Sequence, residues 1–83
     1  MNKDEQKYIE LSREITRRIL SKASKALLEE GGGRTAMTKA VELEVEECKP
    51  IIREFFIANG YDLKSMDKFI SEAVGNGTDL FPK

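Results

Sequence analysis

From Asp4 to Glu30 the chain contains no glycine and no proline, and its apolar residues keep helical spacing throughout. Tyr8, Leu11, Ile15, Ile19, Ala23 and Ala26 recur at intervals of three and four, and Ile9, Thr16, Leu20 and Leu27 widen the same stripe. Asp4 and Glu5 stand where the positive end of the helix dipole favours carboxylates. Gly31-Gly32-Gly33 then ends the helix, because successive glycines lose too much backbone entropy to remain helical. Such a helix is roughly 40 Å long at 1.5 Å per residue. A compact monomer of this chain length has a radius of gyration near 12 Å and hence a diameter of about 30 Å. The helix is therefore expected to overhang its own domain unless another subunit covers the excess.

A second subunit is also what the size of the chain asks for. Its 83 residues make one small domain. Near this length a single core yields only about 3–5 kcal/mol unless something else adds to it. Cys48 is the single cysteine and has no internal disulfide partner, and with no histidine in the chain a zinc site has no ligand set. Oligomerisation is the stabiliser left. The expectation is a homodimer built on the stripe of the first helix, with Tyr8, Leu11, Ile15, Ile19 and Ala23 at the interface.

Beyond the glycines, Val41-Glu42-Leu43-Glu44-Val45-Glu46 alternates with period two, which reads as a strand. A strand needs a partner, and no second alternating run exists. Met37, Ala40, Val41, Val45, Cys48, Ile52, Phe55 and Phe56 make a helical stripe through the same residues, and Thr35 or Thr38 can cap its start. Helix is the preferred reading. Pro50 lacks a backbone donor and crowds the preceding turn, so the helix is predicted to end near Glu47 and a new one to begin at Pro50. That helix, about 50–58, stops at Asn59-Gly60. A last helix runs from near Asp62 to Val74 with Leu63, Met66, Phe69, Ile70, Ala73 and Val74 on one face, and Gly75-Asn76-Gly77 closes it. The predicted fold class is all-α. It is a small bundle of one long helix (about 4–30), a glycine-rich linker (31–34), three shorter helices (about 38–47, 50–58 and 62–74) and a tail (75–83).

The same residues narrow the chemistry. Without histidine the commonest general base and nucleophile activator is missing, so no catalytic residues are assigned and an enzyme is not expected. Cys48, inside an apolar stripe, reads as a small buried hydrophobe. Glu42, Glu44, Glu46 and Glu47 read as a solvated acidic face, since a divalent-metal site needs oxygen ligands converging from several elements. Gly31 to Thr35 lacks the lysine and the preceding strand of a phosphate-binding loop. No cofactor and no small-molecule substrate are implied. The longest apolar run, Phe55-Phe56-Ile57-Ala58, falls far short of the roughly 20 residues that cross a bilayer. With a lone cysteine and no secretory segment, the cytoplasm is the expected compartment.

Two functional readings result. The first is a small non-enzymatic regulatory or adaptor protein that acts through helix-mediated association, as a homodimer and with another protein. The second is a small DNA-binding regulator, with the predicted helices 38–47 and 50–58 as a helix-turn-helix. Lysines plus arginines number 14 against 15 aspartates plus glutamates, a net charge of -1, so bulk charge does not favour a polyanion. Nucleic acid would need a local basic face. On the first helix Lys7, Arg18, Lys22 and Lys25 line one flank and Arg13 and Arg17 the other, whereas Lys49 and Arg53 belong to the would-be recognition helix. The competing reading of those cations is a solvated helix face held by pairs such as Glu14–Arg18.

Overall fold

The computed structural model describes residues 3–29 and 33–78. All of its regular structure is helical: α1 (Lys3–Glu29), α2 (Gly33–Ala58), a 3₁₀ turn (Leu63–Ser65) and α3 (Met66–Thr78). The all-α class therefore holds, with three helices where four were expected. The tail residues Leu80, Phe81 and Pro82 lie outside the described residues, as do Gly31 and Gly32, whereas Gly33 and Arg34 of the expected linker belong to α2, which begins before the expected start near 38.

The missing boundary is at Pro50. The predicted helices 38–47 and 50–58 are one helix that passes through the proline. Pro50 and Glu46, whose carbonyl loses its donor, both face solvent, so water can take up the freed carbonyl and the bond is lost where it costs least. The turn that a helix-turn-helix requires at this place does not exist. Continuity also removes the overhang: α2, with 26 residues, runs beside nearly the whole of α1, with 27. The described residues form an elongated body of 42 × 23 × 18 Å. The excess length of the first helix is covered by the chain's own second helix.

The helices run up, down and up. Arg18 meets Glu44 and Tyr8 meets Phe56, which makes α2 antiparallel to α1. Tyr8 meets Phe69 and Ile19 meets Gly77, which makes α3 parallel to α1. Ile15, Ile19 and Ala23 of α1, Val41, Cys48, Ile52 and Phe56 of α2, and Phe69 and Ala73 of α3 form the core. The residues expected at a dimer interface are thus used inside one chain. Ile15, Ile19 and Ala23 are buried in its core, and Tyr8 and Leu11 are half-buried against it. An amphipathic stripe states that a face must be covered; it does not state by what.

At the lower end, Tyr8, Phe55, Phe56, Tyr61 and Phe69 gather the three helices and the α2–α3 turn into one aromatic cluster. Its ring centroids lie 5.2 Å apart for Tyr8–Phe69 and 5.6 Å for Phe56–Phe69. The turn is set by Gly60, at φ +72, a left-handed conformation that glycine adopts without strain. Tyr61 N–H donates to the Phe56 carbonyl at 2.9 Å and Gly60 N–H to that of Ile57 at 3.3 Å. Those are the two bonds of a Schellman stop, and the Tyr61 ring packs on Phe56 as its hydrophobic contact. Asp62 then caps the 3₁₀ turn by accepting from Lys64 N–H at 2.9 Å.

α3 does not stop at Gly75. It continues to Thr78, and Gly77 is buried against α1. A β-carbon there would sit 2.8 Å from Ile19 Cγ2 and 3.0 Å from the Thr16 carbonyl oxygen. The glycine read as a stop is the residue that lets α3 approach α1.

Candidate functional site

Three of the cations named as possible nucleic-acid contacts are held in ion pairs. Arg17 pairs with Glu14 at 3.7 Å, Lys49 with Glu46 at 2.8 Å, and Arg18 with Glu44 at 2.7 Å. The expected Glu14–Arg18 pair is replaced by the first and last of these. Arg13, Lys22, Lys25 and Arg53 are exposed on α1 and α2. Arg17, Arg18 and Lys22 do meet around a shallow depression, but Glu44 and Glu47 form its other wall and offset its charge.

Glu44 departs most from the sequence reading. It is not part of a solvated acidic face: it is 2% exposed, one helical turn from Val41 and Cys48 on the core side of α2. The period-two alternation came from placing Glu44 among the exposed glutamates, when its partner is a cation on another helix. Arg18 Nε donates to Glu44 Oε1, and the Cys48 thiol lies 3.7 Å from the same oxygen. A buried charge needs such a partner, and this one ties α1 to α2 at mid-height. Burial pushes the Cys48 thiol up from its ordinary value; Arg18 opposes that shift and Glu44 adds to it. A buried thiol held protonated is a poor nucleophile. No group of metal-ligating residues is found among the described residues, and no helix among them is long and apolar enough to cross a membrane.

The feature with room for a partner lies between α2 and α3. Both pack on α1 more than on one another, and Phe56 meets Phe69 between them at the aromatic end. The groove between them encloses about 600 Å³. Met37, Val41 and Val45 form one wall, Ile70 and Val74 the other. Arg34, Thr38, Glu42 and Glu46 rim it on α2, and Ser71, Gly75 and Thr78 on α3. Beside it, Leu43 is 67% exposed. Sequence reasoning placed these apolar residues on the correct stripes and missed that they share a groove. The available signal was stripe width: Val45 and Val74 extend each stripe beyond what packing on a single neighbour needs.

Comparison with protein-family models, with curated proteins and with solved structures finds no match.

Proposed function

We propose that this chain is a small non-enzymatic regulatory or adaptor protein that acts through helix-mediated association as a homodimer, with the α2–α3 groove as its binding surface. The observation that carries the reading is the apolar groove itself, walled by Met37, Val41, Val45, Ile70 and Val74 and left open among the described residues. Apolar walls with a polar rim suit the apolar face of a helix. The Cys48 thiol is shut in the core and is not part of the groove lining. Relative to the sequence expectation, the association surface moves from α1, whose stripe is consumed by the core, to α2 and α3.

The experiment is site-specific photo-crosslinking. A benzophenone side chain at Val45 or Val74, both half-buried at the groove edge, is compared with one at the exposed Ser21 on α1. Adducts of defined mass from Val45 and Val74 but not from Ser21, formed in the cells that make the protein, support the reading. Equal adducts from all three positions, or none from the groove, defeat it.

A further inference from the structure

The two rims of the α2–α3 groove differ in charge. On α3 the rim is Ser71, Gly75 and Thr78, small and uncharged, whereas on α2 it carries Arg34, Glu42 and Glu46. Those charges are separated along the groove. Arg34 is in the first turn of α2, and Glu42 stands about 12 Å nearer the aromatic end at 1.5 Å per residue. Glu46 follows one turn further, paired with Lys49 at 2.8 Å. Its hydrogen bond raises the Lys49 pKa and Asp67 of α3 adds to the rise, so that ammonium is shared between carboxylates of both helices. Glu42 has no ion pair among the described residues. Lys39 borders the neighbouring depression with Leu43 and is not in the groove lining. The half of the groove nearer the aromatic end is therefore acidic on its α2 side. The lining runs from Arg34 to Glu46 on α2 and from Ile70 to Thr78 on α3, about 18 Å and 12 Å. That is room for about two to three turns of a helix.

We infer that the groove takes a short amphipathic helix of another protein, its apolar face on Val41, Val45, Ile70 and Val74 and a basic flank over Glu42 and Glu46. The inference rests on the association reading above and names the partner that the groove takes within it. An apolar face laid into the groove strips water from the Glu42 carboxylate at its edge. A carboxylate that loses water without gaining a partner costs free energy, so a lysine or arginine of the guest is favoured there and an acidic residue is rejected. Over the α3 rim the guest meets no charge, and that flank of it is uncharged. A folded second copy has no such helix to offer, because the apolar stripes of its α1, α2 and α3 are spent on its own core. Glutamates four apart also occur on α1, at Glu10 and Glu14. What sets Glu42 and Glu46 apart is the apolar groove that they edge.

The test is titration of the full chain with two synthetic peptides of about three turns, each held helical by a staple and each with the same leucine face at i, i+3, i+4 and i+7. One carries lysines on a flank of that face and the other glutamates. The lysine peptide should bind about tenfold tighter or more, and methyl resonances of Val45, Ile70 and Val74 should shift as it does. Glu42→Lys should reverse the preference, weakening the lysine peptide and strengthening the glutamate peptide by about tenfold each. Glu10→Lys makes the same change of charge on α1 and should alter neither by more than about twofold. Glu42 and Glu10 are exposed, and circular dichroism checks that both variants keep the fold. A preference that Glu42→Lys leaves in place, or that Glu10→Lys moves as far, overturns the inference. Equal binding of the two peptides with shifts at Val45 and Val74 overturns the basic flank and leaves the association reading in place. Binding of neither peptide also overturns the inference, and the photo-crosslinks then decide the association reading by themselves.

Discussion

Gly77 of α3 and Ile19 of α1 are in contact at a distance that admits no side chain on the glycine: its β-carbon would stand 2.8 Å from Ile19 Cγ2. The next nearest atom, the Thr16 carbonyl oxygen at 3.0 Å, belongs to backbone and cannot swing aside. Gly77→Ala should therefore destabilise the fold by about 1–3 kcal/mol, as overpacked cores do. Two residues earlier, Gly75 has open space around its α-carbon and an ordinary helical φ. Gly75→Ala should stabilise by about 0.5–1 kcal/mol, because alanine is the better helix former. Thermal melts of the two variants, moving in opposite directions, check the α1–α3 contact.

The Arg18–Glu44 pair makes a prediction about removal of one partner and of both. Arg18→Met leaves the Glu44 carboxylate buried without its cation and should cost about 2–3 kcal/mol, less than a fully buried pair because Arg18 itself is partly solvated. Arg18→Met combined with Glu44→Leu removes the charge with its partner and should recover most of that loss. Denaturant unfolding of the singles and the double measures the coupling. Additive losses would show that the two groups do not act as a pair.

Cys48 predicts a pH dependence. Burial raises its thiol pKa above the ordinary value of about 9, so the folded state holds the proton more tightly than the unfolded chain does. The resulting stability is fully present below about pH 9 and is lost as pH rises from there through the raised folded value. Tyr8 acts in the same direction from about pH 10, with burial and then Glu72 raising its phenol. Urea unfolding at pH 7, 9 and 10 should show falling stability. Cys48→Ala should flatten the first part of that fall while lowering stability at pH 7. At neutral pH a thiol reagent should modify native Cys48 far more slowly than the unfolded chain.

Gly60 tests the turn between α2 and α3. Its φ of +72 is left-handed, and nothing crowds its α-carbon. Gly60→Ala should therefore lose about 1 kcal/mol from backbone strain alone. Gly60→Asn should lose less, since asparagine tolerates that conformation. Equal losses for the two would place the cost in the side chain and not in the backbone.

The helical periods were legible because they are local. The spacing of Ile15, Ile19 and Ala23, of Met37, Val41, Cys48, Ile52 and Phe56, and of Phe69 and Ala73 marks the buried face of each helix, and those faces are the buried ones observed. The Asn59-Gly60 stop was legible for the same reason: its conformation depends on glycine and its immediate neighbours. Pro50 and Gly75-Asn76-Gly77 misled because a breaking tendency of a few kcal/mol is outweighed when the flanking turns are anchored in a core. For Pro50 those anchors are Cys48 and Ile52, and for Gly77 the close contact is itself part of the core.

The sequence by itself determined that the chain would be all-helical, read there as four amphipathic segments, and which side of each would be covered, since both follow from residue spacing along one chain. Tertiary structure decided what covers them. α2 crosses Pro50 and takes up the stripe of α1 that would otherwise ask for a second subunit. Arg18 reaches Glu44 across 26 residues of sequence and turns an apparent surface glutamate into a core residue. The α2–α3 groove lies between two helices that each pack more on α1 than on one another. These relations depend on distances between elements, and helical periodicity contains no such distances.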